Sequence, residues 1–217
     1  IRGISVGATT AINVYHNSVH IGGSGVLNAS SVANHSTAFN RSAASGSHVL
    51  RNNIFSNERT NALSGQANKH VTIRLGTATT GCDPNFNDYY YTSGNDNSFA
   101  LNNTTGIAIY SAGWLPGDLN SASSNPSFIN PGGDAATVDL HINPVIATAI
   151  EQGGTLITSV TDDYDGQNRS LFTPNDIGAD AGNFTPLSAC AGSPSSSTAT
   201  LTNPATICGS GTRTIVL

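Results

Sequence analysis

The sequence predicts an all-β protein built as a β-solenoid, in which short strands recur at a fixed period. Three short apolar segments carry this signal, and each passes through an Asn: Asn17, Asn52 and Asn87, which recur every 35 residues. Recurrence at a period of a few tens of residues is typical of solenoids, and stacked Asn side chains hydrogen-bond along the stacking axis. We therefore expect these three residues to form a structural ladder. From the spacing alone, a β-sandwich of similar composition is the alternative.

The composition favours strands and turns over helices. The chain has 217 residues, of which 23 are Gly and only 10% are charged, and Lys69 is its only lysine. Abundant Gly, Ser, Thr and Asn favour turns, whereas regularly placed Ile, Val, Phe and Tyr favour strands and argue against disorder. The alternation across residues 71–75 predicts a strand there.

The charge and the apolar runs restrict the partners. The formal net charge is −5 and the sequence has no basic run, so we expect no nucleic-acid partner. No apolar run approaches transmembrane length, so we expect no membrane insertion. The chain has no Met and very little Lys or Glu. We therefore expect a mature or truncated piece of a secreted or cell-surface protein.

An ordered series of short motifs resembles a known family. In chain order these are Asn52-Asn53-Ile54-Phe55, Ser124-Asn125-Pro126-Ser127-Phe128-Ile129-Asn130-Pro131, Asp139-Leu140-His141-Ile142, residues 163–169, and Asp176-Ile177-Gly178-Ala179-Asp180. The series resembles the C-terminal half of the right-handed parallel β-helix domains, of pectate-lyase-like fold, in large secreted bacterial surface proteins. The resemblance covers residues 1–184 and implies a right-handed parallel β-helix. The family includes polysaccharide lyases, carbohydrate-binding modules and adhesins, so the fold does not choose the function.

Residues 185–217 are predicted to form a separate tail with short strands. Its composition shifts to Ser, Thr, Pro and Ala, and it resembles the opening strands of an immunoglobulin-like module. We expect its last strand to join copies of the chain head to tail by adding to a neighbour's sheet; that strand contains Thr212, Thr214, Ile215, Val216 and Leu217. The competing hypothesis is a tail folded back on its own β-helix.

Three cysteines leave one over if a pair forms. The predicted secreted location and the spacing within the tail favour a disulfide between Cys190 and Cys208, with Cys82 left free or buried.

The best candidate metal ligands are Asp162, Asp163 and Asp165. Alternating carboxylates before a Gly can wrap a calcium ion with oxygen ligands, although this segment lacks the distal bidentate Glu of an EF-hand. The alternative is a turn in which Asp163 or Asp165 pairs with Arg169. We expect no cofactor other than such a calcium ion.

The sequence favours a structural function over a catalytic one. A lyase of this fold needs a cationic base and usually a calcium-binding carboxylate cluster, and no Arg or Lys lies in a recognisable motif. We therefore expect a non-catalytic extracellular structural protein: a surface, adhesive or filament subunit. The alternative is a carbohydrate-binding or polysaccharide-lyase module. Residues 89–91 and Trp114 could stack on sugar rings, but core packing is their default.

Overall fold

The computed structural model describes residues 1–7, 11–27, 35–42, 46–63, 68–76, 79–92, 97–102, 105–107, 109–172 and 174–187. These residues form short strands and one 3₁₀ helix, Arg169–Leu171. Within these ranges, no helix combines the length and the apolar character needed to cross a bilayer. Ile1–Pro186 form one compact unit and Leu187–Leu217 a second. The fold described below is that of the first unit.

The chain winds through three turns that each contribute three strands. The first turn has β1 (Arg2–Val6), β2 (Ala11–Tyr15) and β3 (Ser18–Ile21). The second has β4 (Ser36–Arg41), β5 (Ser47–Arg51) and β6 (Ile54–Asn57), and the third has β7 (His70–Leu75), β8 (Cys82–Asn85) and β9 (Asp88–Tyr91). A fourth turn starts with β10 (Asn97–Asn102), which pairs antiparallel with β11 (Thr105–Ile107).

Strands from successive turns stack in register as three parallel sheets. The strand orders are β1-β4-β7-β10-β11, β2-β5-β8 and β3-β6-β9. In the second sheet Val14 lies beside Leu50, which lies beside Pro84. This stacking confirms the predicted all-β solenoid with parallel coils, because each turn repeats the apolar positions of the turn before it.

Apolar side chains from the three sheets fill the interior of the coil. Phe39, Phe55, Tyr89 and Phe99 are fully buried, and their rings form a continuous row with centroid separations of 5.5, 6.2 and 5.0 Å. Such aromatic contacts add to the free energy gained by burying the rings. Tyr89 therefore belongs to the core, and the partly buried Trp114 packs against it.

The Asn ladder exists, but its middle member is Asn53 rather than Asn52. Asn53 Oδ1 accepts hydrogen bonds from the backbone N–H and the side-chain amide of Asn17, at 3.1 and 2.9 Å. Asn87 Oδ1 accepts the same pair from Asn53, at 3.0 and 2.9 Å, and Ser121 Oγ continues the series from Asn87 N–H. The true separations are 36, 34 and 34 residues.

Asn52 is excluded from the ladder because it occupies the preceding corner position. His16, Asn52 and Phe86 have φ angles of 51°, 56° and 57°, the left-handed conformation that turns the chain between the second and third sheets. Asn tolerates this conformation better than most residues. The residue that follows each of them enters the next strand with its side chain in the ladder.

A flanking segment, the described residues between 125 and 186, covers the outer face of the third sheet. It contains β12 (Phe128–Asn130), β13 (Asp139–Ile142), β14 (Ala147–Thr148) and β15 (Thr185–Pro186). Its Ile142, Ile150 and Ile177 pack on Ile54 of β6 as a second small core. Asn52 fixes this segment to the coil, because its amide accepts from the Thr155 N–H at 2.9 Å and donates to the Thr155 carbonyl.

Of the three cysteines, Cys82 lies in the part of the chain that the structure describes. It is a free thiol inside the coil, and burial raises its pKa to about 12, so it is not a reactive thiolate. The predicted disulfide between Cys190 and Cys208, and the predicted strand at Thr212, Thr214, Ile215, Val216 and Leu217, lie outside the described residues.

Candidate functional site

The flanking segment brings one histidine and two carboxylates to a single point. The ligand atoms of His141, Asp165 and Asp180 all lie within 4.8 Å of one another. We call these three residues the His141 cluster. They come from β13, from the turn that contains Gly166, and from the chain just after Gly178, so folding assembles a group that is dispersed in the sequence.

Local hydrogen bonds hold each member of the cluster in place. The Ile142 N–H donates to Asp180 Oδ2 at 2.8 Å, which fixes that carboxylate beneath β13. Asp163 Oδ1 accepts the backbone N–H groups of Asp165 and Gln167, at 3.0 and 2.7 Å. This closes a tight turn that presents Asp165 towards His141.

The imidazole of His141 lies between two acceptors. Its Nδ1 is 2.6 Å from Asp139 Oδ1 and its Nε2 is 3.0 Å from Asp165 Oδ2. Ionised carboxylates only accept hydrogen bonds, so this geometry favours an imidazole that carries a proton on both ring nitrogens. The hydrogen bond that His141 donates to Asp139, together with the charges of Asp180, Asp139 and Asp165, raises the His141 pKa, and burial opposes this effect.

The carboxylates differ in environment. Hydrogen bonds from the backbone and side chain of His141 lower the pKa of Asp139. Burial raises the pKa of Asp180, which is only 8% exposed. Three carboxylates around one imidazole give the site a negative field that attracts a cation, whether a second proton on His141 or a metal ion.

The cluster has the donor set of a divalent transition-metal site. One imidazole and two carboxylates leave a fourth position for water or a ligand, as in open zinc sites. Asp139 orients the ring through Nδ1, the outer-shell contact that metal-bound histidines generally make. An imidazole ligand favours Zn²⁺ or Mn²⁺ over Ca²⁺, which prefers six or more oxygens. A metal would replace the Nε2 proton of His141.

Two members of the cluster, His141 and Asp180, line a cavity. This cavity of about 550 Å³ is bounded by Val138, Leu140, His141, Tyr164 and Asp180. A second cavity of about 280 Å³, next to His20 and Gly132, shares Val138 and Leu140 with the first. We call the two together the ligand groove. The Tyr164 ring is 78% exposed and lies 6.0 Å from the His141 ring.

The structure corrects the metal ligands predicted from the sequence. Of Asp162, Asp163 and Asp165, only Asp165 belongs to the group that could hold an ion. Asp163 uses one oxygen for the turn, and Asp162 extends an exposed side chain beside it. The alternating carboxylates therefore shape a loop and supply one ligand, because a turn this tight points its carboxylates in different directions.

The proposed pairing of Arg169 with Asp163 or Asp165 is also wrong. The Arg169 guanidinium donates to backbone carbonyls instead, to Asp162 at 3.2 Å, Gly178 at 3.1 Å and Ala179 at 2.6 Å. Arg169 therefore links the turn that contains Asp165 to the chain just before Asp180, and so holds these two members of the cluster together.

Sequence reasoning missed His141, Asp139 and Asp180 as site residues. The first two form an Asp-x-His pattern on a strand, which places both side chains on one face. That spacing is the available signal, but it becomes specific only when Asp165 and Asp180 are brought beside it.

No protein-family model matches this chain, and the searches of curated proteins and of solved structures likewise found no match. The β-solenoid is therefore established by its coordinates alone. The pectate-lyase-like and immunoglobulin-like resemblances stay predictions.

Proposed function

We propose that this protein is an extracellular carbohydrate-binding module in which a divalent metal at the His141 cluster helps to hold the sugar. The observation that carries the proposal is the position of the cluster: three metal-ligand side chains converge, and two of them, His141 and Asp180, line a cavity that lies next to a second one. Concave sites with a few convergent polar groups are the usual location of ligand binding.

The groove has chemistry that suits a polyhydroxylated ligand. The fourth metal position can accept a sugar hydroxyl, and the carboxylate oxygens not used by the metal can accept hydrogen bonds from others. Tyr164 offers an exposed aromatic ring. Val138 and Leu140 give an apolar surface on which a sugar ring can pack. Two adjacent cavities suit a linear polysaccharide better than a single small molecule.

Binding is favoured over polysaccharide cleavage by the residues of the groove. A lyase needs a cationic base beside its carboxylates, and the described residues that line the two cavities include no Arg or Lys. Both ring nitrogens of His141 contact carboxylates, so neither is free to act as a base.

The test is polysaccharide binding with and without metal. We expect neutral, linear β-glucan or mannan to bind in the presence of Zn²⁺ or Mn²⁺ and to be released by a chelator. Asp165→Asn should weaken this binding at least about tenfold, as expected for removing a charged ligand. The matched control is Asp83→Asn, which changes an aspartate on the outer face of the second sheet.

Binding that survives both chelation and the Asp165→Asn substitution would reject the metal-dependent mechanism. An absence of binding to any polysaccharide, with metal bound, would reject the carbohydrate function.

A second candidate is the filament subunit expected from the sequence. The favouring observation is that β1, β2 and β3 each lie at the edge of their sheet. Sheet edges have backbone groups to which another strand can add. The strand proposed to add there lies outside the described residues, so the head-to-tail assembly stays a prediction.

A further inference from the structure

A further cavity, which shares no described lining residue with the ligand groove, is lined by several positively charged side chains. It has a volume of about 820 Å³ and is lined by Arg2, Arg59, Arg74, His35 and Thr37, among others. None of its described lining residues is acidic, and none of them lines the ligand groove. We call it the basic cavity.

The concentration of arginines there is unexpected for this composition. The whole chain has only 8 Lys and Arg residues and a net charge of −5, yet three arginines from different parts of the coil face one cavity. Arg2 lies in β1 and Arg74 in β7, whereas Arg59 follows β6. Like charges gathered at one place repel one another, which costs free energy unless a counter-charge occupies the space between them.

The pKa of His35 is consistent with a positive local field. His35 has a lowered pKa, first because it is buried and next because the positive charge of Arg74 lies nearby. Glu58, the residue directly before Arg59, has its carboxylate 3.7 Å from His20 Nδ1. The arginines are therefore not neutralised by that neighbouring acid.

Two polar groups at this cavity have no hydrogen-bond partner. Thr37 is 2% exposed, and its hydroxyl is buried and unpaired. Arg74 Nε is also buried and unpaired, although another of its nitrogens donates to Asn40 Oδ1 at 3.4 Å. Buried polar groups in folded proteins nearly always have a partner, so a hydroxyl and a guanidinium N–H left open at one cavity indicate a missing acceptor.

We propose that the basic cavity is a binding site for an oxyanion: a carboxylate, sulfate or phosphate group. Guanidinium groups match the geometry of such anions and form charge-assisted hydrogen bonds with them. Thr37 supplies a neutral donor, and Arg2 and Arg59 supply the compensating charge. The anion is either free in solution or a substituent of an acidic polysaccharide, and the two sources share this recognition chemistry.

The test measures binding of three probes by calorimetry at low ionic strength: inorganic sulfate, inorganic phosphate and polygalacturonate. We expect Arg74→Gln to weaken binding of at least one probe by about tenfold or more, and Thr37→Val to weaken it by a smaller factor. Arg2→Gln changes an exposed residue and tests the charge without disturbing the fold. The matched control is Arg51→Gln, on the outer face of the second sheet, which should bind as the parent does.

The outcomes separate the sources and the alternatives. Binding of the polymer that sulfate displaces assigns the site to a polysaccharide substituent, whereas binding of sulfate or phosphate without the polymer assigns it to a free anion. The proposal is overturned if no probe binds, or if Arg51→Gln reduces binding as much as Arg2→Gln and Arg74→Gln do.

Discussion

Asn53 is the residue on which the stacking of the first three turns most depends. Besides its ladder bonds, its side-chain amide donates to the Val14 carbonyl at 2.9 Å, and the residue is completely buried. We expect Asn53→Leu to lower the free energy of unfolding by about 1–3 kcal/mol, because it leaves buried neighbours without partners. Chemical denaturation measures this. Asn13→Leu, an exposed position on β2, is the control and should change stability by less than about 0.5 kcal/mol.

Asp88 makes stability depend on pH. It is fully buried, burial raises its pKa to about 7, and one of its oxygens has no partner. Between about pH 4 and pH 7 the folded chain keeps a proton that the unfolded chain has lost, so stability falls as the pH rises through this window.

We therefore expect Asp88→Asn to be more stable than the parent above pH 7 and close to it near pH 4. The difference should reach on the order of 2–4 kcal/mol. Asp176, whose pKa burial also raises to about 7, titrates in both proteins, so the difference curve isolates Asp88. A difference that does not vary with pH would contradict the burial of an ionisable Asp88.

At the scale of single residues, the sequence located the members of the Asn ladder to within one residue. The 35-residue spacing located Asn17 and Asn87 correctly, and it chose Asn52 over Asn53 because both are Asn. Only the backbone distinguishes them, since the corner residue has a positive φ and its neighbour does not. His16 and Phe86 occupy the same corner, so no residue type marks that position in the sequence.

At the scale of elements, the flanking segment depends on a few contacts with the coil. Asn52 hydrogen-bonds to both backbone groups of Thr155. Gly178 lies so close to Ile54 that a Cβ added to Gly178 would be 2.6 Å from Ile54 Cδ1. Asn52→Gly keeps the left-handed corner but removes the hydrogen bonds to Thr155. We expect amide hydrogen exchange to accelerate around residues 150–181 while β5 and β7 stay protected. Equal acceleration in all three places would mean that segment and coil unfold as one.

The flanking segment and the His141 cluster were beyond prediction for the same physical reason. The strands of the coil repeat, so their apolar positions reinforce one another as a pattern. The flanking segment has short strands, and the second core takes only three fully buried apolar residues from it, Ile142, Ile150 and Ile177. His141 meets Asp165 and Asp180 only because that irregular chain folds back on the third sheet.

At the scale of the whole molecule, the compact unit ends at Pro186, close to the boundary at residue 184 that the sequence predicts. We expect the chain truncated after Pro186 to unfold cooperatively at the same temperature as the full chain, because both cores formed by the described residues lie within residues 1–186. Sedimentation of both chains then tests assembly. Fibres formed by the full chain alone would support the tail as connector, and fibres formed by both would contradict it.

The distribution of charge over the folded molecule could not be predicted from the composition. A net charge of −5 and scattered arginines predicted no basic patch, yet folding places three arginines around one cavity. Residues 2, 59 and 74 are far apart in sequence and come together because successive turns stack. Net charge therefore says little about local fields in a solenoid.

Titrating the protein with Zn²⁺ in a calorimeter at several pH values tests the metal site that we propose at the His141 cluster. Metal and proton compete for His141 Nε2, and the His141 pKa is raised, so affinity should fall as the pH is lowered from about 8 to about 6. We expect one Zn²⁺ to bind per chain, with protons released on binding, and His141→Gln to lose that site. No binding, or binding of equal strength in His141→Gln, would contradict it.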